Sequence, residues 1–130
     1  ILDHLGNGQF LVNTNYKAPN NRICLVDINK PEQENWVDYI PEKEYVLTGV
    51  TLAGNKMIAN YMKNVQSKLE VYDSAANYLY DIALPGIGIA GISGDKDENT
   101  AFYSFTSYTT PTEIYKYNFD ENNDYIYLFF

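Results

Sequence analysis

The segment Gly91-Ile92-Ser93-Gly94-Asp95 comes nearest to a nucleophile motif in this chain. A serine nucleophile needs a base to take its proton and a sharp turn to present its oxygen, as G-x-S-x-G provides. Here the second glycine falls one place early, no helical period follows, and the single histidine, His4, has no evident partner. Ser93 therefore reads as a strand end entering a turn, and His4 as a solvated surface residue. The run Asp95-Lys96-Asp97-Glu98-Asn99 begins like a calcium loop, because alternate carboxylates can converge on one ion. Its sixth position is Thr100 where a sharp turn needs Gly, and its twelfth is Thr106 where a bidentate Glu is needed. Asp120-Glu121-Asn122-Asn123-Asp124 lacks the glycine as well, so both runs read as polar hairpin loops. Other carboxylates are plentiful, but nothing sets two of them across a cleft for glycoside chemistry. Cys24, between Ile23 and Leu25 with only Arg22 as a basic neighbour, reads as an inert strand thiol. One cysteine forms no intrachain disulfide, and no Cys/His cluster is spaced to hold zinc. No catalytic, cofactor-binding or metal-binding residue is assigned, and no cofactor is expected.

The elements that carry these residues are strands. Thirteen Tyr, six Phe and one Trp in 130 residues favour extended structure. Nearly every apolar segment is short, alternates with polar residues and stops at Gly, Pro, Asn or Asp. Strands are predicted over 1–5, 9–16, 22–28, 36–40, 45–52, 56–63, 68–73, 77–84, 89–93, 101–106, 113–118 and 125–129, with at most a turn of helix. The formal net charge is −8, and the nine Lys and Arg are scattered among seventeen acids. Nucleic-acid binding, which rests on clustered basic residues, is not expected. No segment approaches the roughly 18 apolar residues of a membrane-spanning helix, and no membrane partner is expected. The chain opens with Ile1 and without a signal-like segment, so its start reads as a cut and its compartment, cytoplasmic or periplasmic, stays open.

A repeat emerges when three hairpins are superimposed. Leu25-Val26-Asp27 precedes Trp36-Val37-Asp38-Tyr39-Ile40, Val71-Tyr72-Asp73 precedes Tyr78-Leu79-Tyr80-Asp81-Ile82, and Lys116-Tyr117-Asn118 precedes Tyr125-Ile126-Tyr127-Leu128-Phe129. Val26 and Tyr72 are 46 residues apart, Tyr72 and Tyr117 45. That interval holds four strands and matches a propeller blade of roughly 40–50 residues. An Asx or Gly turn after each third strand supplies a tight hairpin. A plain antiparallel sandwich with the same spacing is the alternative, and the dipeptides that mark WD40 blades are absent.

The residues also carry a family resemblance. Thr14-Asn15-Tyr16-Lys17-Ala18-Pro19-Asn20-Asn21-Arg22, Val26-Asp27 and Trp36-Val37-Asp38-Tyr39-Ile40-Pro41-Glu42 resemble the blade segment of prolyl oligopeptidases, the post-proline serine endopeptidases. Leu84-Pro85, Gly91-Ile92-Ser93-Gly94, the run from Phe102 to Pro111 and Ile114-Tyr115 resemble the same propeller further along. The likeness runs from about Gln9 to Tyr117. It implies an all-β fold that is part of a seven-bladed β-propeller, with about three four-stranded antiparallel blades at 1–42, 43–85 and 86–130. The family's other part, an α/β-hydrolase domain with Ser, Asp and His, has no counterpart here, and the catalytic triad is missing.

The resemblance implies a propeller segment that covers an active site and limits entry to short proline-containing peptides, without being catalytic itself. Its partners are then the α/β-hydrolase domain and the remaining blades. A free-standing β-sheet binding module is the alternative. Three blades cannot close a ring, so the isolated segment is also expected to self-associate through its open faces.

Overall fold

The computed structural model describes residues 2–109, 111–121 and 123–129. Strands β1 (Asp3–Gly6), β2 (Gln9–Thr14), β3 (Arg22–Asp27) and β4 (Val37–Ile40) form one antiparallel sheet in that order. β5 (Val46–Ala53), β6 (Lys56–Lys63), β7 (Gln66–Tyr72) and β8 (Tyr78–Ile82) form a second. β9 (Ile89–Gly94), β10 (Thr100–Thr106), β11 (Glu113–Asn118) and β12 (Asn123–Phe129) form a third. A 3-10 turn at Gln33–Asn35 is the one helical element among the described residues.

The three superimposed segments fall in separate sheets, each at the end of the third strand, and Val26, Tyr72 and Tyr117 are all buried. The repeat extends to the turn chemistry. The Asp27 carboxylate accepts a hydrogen bond from the Asn29 amide at 2.9 Å, and that of Asp73 accepts from Ala75 and Asn77. Asn118 Oδ1 accepts from the amides of Asp120 and Glu121. Each side chain satisfies backbone donors that the ladder has just released. The first of these turns departs from the tight hairpin expected of it. Pro31 has no amide to continue pairing, and the path to β4 instead passes through the 3-10 turn, where Trp36 Nε1 donates to the Pro31 carbonyl at 2.9 Å.

Strand alternation assigns the faces. From the middle sheet, Met57, Ala59, Tyr61 and Tyr72 pack with Leu11, Ile23 and Ile40 of the first sheet. Their neighbours Ile58 and Val71, with Leu69, pack with Ala90, Ala101, Tyr103 and Phe105 of the third. Successive residues of one strand thus enter two different cores, and the middle sheet is buried on both faces. A fully buried large apolar side chain contributes roughly 1.5–3 kcal/mol, and Tyr61, Tyr103 and Phe105 are each at most 2% exposed. Tyr103 and Tyr115, opposite each other in the ladder, stack at 4.9 Å. On the outward face of the first sheet, Phe10 and Val12 are half-buried, as are Phe102 and Ile114 on that of the third.

Hydrogen bonds sew the sheets together in chain order. Leu47 N donates to the Asn20 carbonyl at 2.9 Å, and Asn21 Nδ2 to the Leu47 carbonyl at 2.9 Å. Asn60 Nδ2 donates to the Ala90 carbonyl at 3.0 Å, Ser67 N to that of Gly88 at 2.8 Å, and Gly54 N to that of Asp95 at 3.0 Å. These bonds give every sheet the same polarity, so the connecting loops sort to two opposite ends of the stack.

Candidate functional site

The residues singled out for chemistry are not brought together. Ser93 is exposed on β9, in register with Phe102, and no strand-to-helix turn presents it. His4 lies on β1 of another sheet, where its Nδ1 accepts from the Gly6 amide at 3.3 Å. Cys24 is fully buried, and burial pushes its thiol up against the opposing pull of Arg22, so the thiolate is disfavoured. In the 95–99 run, the Asp95 carboxylate accepts from the Asp97 amide at 2.8 Å, and Lys96 pairs with Asp3 of β1 at 2.7 Å. Asn99 donates to Asp120. Asp95 therefore holds its own turn, and Lys96 and Asn99 reach to other acids. Among the described residues no three His, Cys, Asp or Glu side chains are placed to share a metal ion. Asn122 of the second acidic run lies outside the described residues.

What the fold builds instead is a contrast between its two ends. At one end lie loops 28–36, 54–55, 73–77, 95–99 and 119–121, with eight acids against two lysines. At the other lie loops 15–21, 41–45, 64–65, 83–88 and 107–112, with two acids and two lysines. This neutral end carries a groove of about 700 Å³ lined by Val65, Ile87, Ile89, Thr106, Ser107 and Tyr108. Val65, Ile87 and Tyr108 are more than three-quarters exposed, against the ordinary tendency of large apolar side chains.

The groove stands on a fixed backbone. A Cβ on Gly88 would lie 2.4 Å from the Thr106 carbonyl oxygen, so only glycine lets this loop run against β10. The Gly88 carbonyl also accepts from Ser67, and Ile87 is left pointing away from the sheet. Asn64 and Val65 form the two-residue turn between β6 and β7, with φ of 50° and 57°. Such turns favour Asn-Gly, and a β-branched residue in the left-handed region is strained.

A second cluster lies on the second sheet, beside the connection that leads into it. Glu70, 3% exposed, accepts from Lys43 at 2.5 Å, from Lys68 at 2.5 Å and from the Tyr72 hydroxyl at 2.6 Å. Burial pushes its carboxyl up, but these hydrogen bonds outweigh that and hold it below the ordinary range. Burial opposes the charge on Lys68, yet its bonds to Glu70 and Asp81 raise it above the usual lysine value. The Lys43 ammonium also lies 5.2 Å from the Tyr61 ring centre and 5.4 Å from that of Tyr72. Lys43 comes from the connection between sheets, so the cluster ties that connection to β7.

Sequence reasoning found neither feature. A faint signal existed for both: a valine where a two-residue turn favours glycine, and a lone acid flanked by Leu69 and Val71 in a buried strand.

Comparison with known proteins accounts for the stack. Residues 1–128 match the family model of the prolyl oligopeptidase N-terminal beta-propeller domain. The prolyl endopeptidase of Elizabethkingia miricola is 36% identical over 128 residues, which cover 98% of this chain and 18% of that protein. That of Dictyostelium discoideum is 34% identical, over 94% of this chain and 17% of its own length. Among solved structures, one from a study of inter-domain dynamics in the catalysis and specificity of two prolyl endopeptidases superposes with a TM-score of 0.86. It is 31% identical, over 95% of this chain and 19% of that one. The apo form of prolyl oligopeptidase B from Galerina marginata superposes with a TM-score of 0.83 at 26% identity, over 95% and 18%. This chain spans less than a fifth of the length of each. With its twelve strands in three stacked antiparallel sheets, the chain belongs to the prolyl oligopeptidase N-terminal beta-propeller domain family.

Proposed function

We propose that this chain is a propeller segment of a prolyl oligopeptidase-like serine endopeptidase, with blades at 1–42, 43–85 and 86–130 of a seven-bladed ring. In the parent protein the ring covers the active site and restricts entry to short proline-containing peptides, while bond cleavage belongs to a hydrolase part outside this chain. The observation that carries this reading is the stack itself, whose middle sheet is buried on both faces while the outer two each keep a partly apolar face. Such a stack is the repeating unit of a ring, and a ring can act as a sieve without contributing a nucleophile. Links between domain motion and specificity in related prolyl endopeptidases support the same role.

The test is to express the full reading frame that contains this chain and assay a chromogenic peptide cleaved after proline. Turnover is expected from the full protein, stronger for short peptides than for a folded protein carrying the same site, and none from the 130-residue chain alone. Turnover by the chain alone that disappears in Ser93→Ala would overturn the proposal. The outward faces imply in addition that the isolated chain self-associates at tens of micromolar. Light scattering after size exclusion that shows only a monomer would argue for the self-sufficient binding module instead.

A further inference from the structure

We propose that Asn7 is a site of spontaneous covalent modification: the Gly8 amide attacks its side chain, ammonia is lost, and the aspartate and isoaspartate that result loosen strand β1. The inference rests on the β1–β2 turn and goes beyond the functional reading above. Asn7 and Gly8 are the two residues between the paired Gly6 and Gln9, with φ of 54° and 75°, the left-handed pair for which Asn-Gly is favoured. Glycine is obligatory there, because a Cβ on residue 8 would lie 2.8 Å from Ile28 Cγ2. The turn therefore sets beside an asparagine the one residue type whose amide no side chain shields.

Two comparisons within the chain separate Asn7 from other asparagines. Asn20, Asn21, Asn60 and Asn77 commit their side-chain amides to hydrogen bonds with Lys43, Leu47, Ala90 and Asp73. Asn7 is exposed, and neither its side chain nor the Gly8 amide makes a hydrogen bond among the described residues. The Asn64-Val65 turn has the same form and is also exposed, but the β-branched valine crowds the amide that would have to attack. A closed turn must open locally before attack, and here the two differ again. β1 has four residues, pairs with β2 alone and shifts register between His4 and Gly6. β6 and β7 are the central strands of their sheet and pair without a shift from Met57 to Lys63.

In the reaction, the Gly8 nitrogen bonds to the side-chain carbonyl carbon of Asn7. The carbon–nitrogen bond of the carboxamide breaks, and ammonia leaves with the Gly8 amide proton, closing a cyclic imide. Solvent water opens the imide at either carbonyl, giving aspartate or isoaspartate. Either product adds a negative charge beside the acidic loop that begins at Ile28. Isoaspartate also lengthens the main chain by one carbon, so the turn loses its fit to the ladder and to the 2.7 Å bond from the Ile28 amide to the Gly8 carbonyl. β1 also carries Asp3, whose pairing with Lys96 ties the first sheet to the third, and that tie weakens with it.

The experiment ages the full-length protein in warm, mildly alkaline buffer, beside a sample unfolded in urea. Peptide mass spectrometry with electron-transfer fragmentation follows each asparagine and distinguishes aspartate from isoaspartate. Residue 7 is expected to convert, mainly to isoaspartate, at least ten-fold faster than Asn64 in the folded protein. Amide exchange over 3–11 should then be faster in aged than in fresh protein, and age should make no difference in an Asn7→Ser variant. An Asn7 that stays intact in the folded protein after the unfolded sample has converted would overturn the site. So would an Asn64 that converts as fast as Asn7. Converted protein whose β1 amides exchange as slowly as those of fresh protein would overturn the loosening.

Discussion

The two ends of the sheet stack are built from the same strands and the same kinds of turn, yet one end is strongly acidic and the other neutral with apolar side chains exposed. At the acidic end, Asp73, Asp95 and Asn118 turn their side chains back onto backbone amides, while Glu32 and Asp120 accept from the side chains of Asn35 and Asn99. At the neutral end, glycine at 88 and a strained Asn64-Val65 turn join side-chain bonds such as Ser107 to the Thr109 amide in shaping the loops, and apolar side chains are left outward. Turns closed by Asx side chains suit a surface that meets only solvent. Turns that hold apolar residues in the open suit a surface that meets protein.

That difference can be broken by mutation, and the largest effect should come from Gly88→Ala. The added methyl would meet the Thr106 carbonyl and the Phe105 ring, so the loop must shift, at a cost of about 3 kcal/mol. Chemical denaturation of the chain is expected to show the midpoint falling accordingly. An unchanged midpoint would mean that the loop moves freely and that the groove is not preorganised.

The next largest effect sharpens the contrast between loop acids and Glu70, the one buried acid among the described residues. Glu70→Gln removes the charge that Lys43, Lys68 and Tyr72 share, and should destabilise the chain by about 2 kcal/mol near neutral pH. Because the folded-state carboxyl of Glu70 is held below its unfolded value, its contribution is fully present above the unfolded value of about 4.3 and fades as pH falls through the folded one. Urea titrations of both proteins at pH 7 and near pH 2 should therefore show a gap at pH 7 that narrows markedly in acid. A gap of constant size would show that lost packing, and not charge, is responsible.

How these features relate to the sequence is instructive. Strand positions were legible because alternation is local: β6 and β11 carry the predicted bounds, and the Asp27, Asp73 and Asn118 turns follow from a residue type at a fixed place. The 3-10 turn at 33–35 was not legible, since it depends on how the chain around Pro31 meets Trp36. Neither was the Glu70 cluster, whose partner Lys43 lies 27 residues away and becomes a neighbour only when the connection into β5 folds against β7. The apolar groove was hidden for the same reason. Apart from the valine in the Asn64-Val65 turn, its members are unremarkable loop residues until the fold gathers them at one end.

A smaller effect has the opposite sign. Val65→Gly relieves the left-handed strain and restores the residue that the turn favours, which should stabilise the isolated chain by about 1 kcal/mol. In the full-length protein the gain should shrink or reverse if Val65 meets another part of the parent. Differential scanning fluorimetry of the variant in both contexts checks this, and equal gains in the two would argue that Val65 makes no contact outside the segment.

The most direct measurement of the central claim, that the stack belongs to a ring covering the active site of a larger protein, is amide hydrogen exchange in the full-length protein, comparing its two loop ends within one molecule. If the neutral end is covered by the peptidase part, amides at Ile87, Gly88 and Tyr108 should exchange at least ten-fold more slowly than when the same segment is expressed without it, while those at Lys96 and Glu98 stay unchanged. Equal rates with and without the peptidase part at residues 87, 88 and 108, or new protection confined to 96–98, would contradict it.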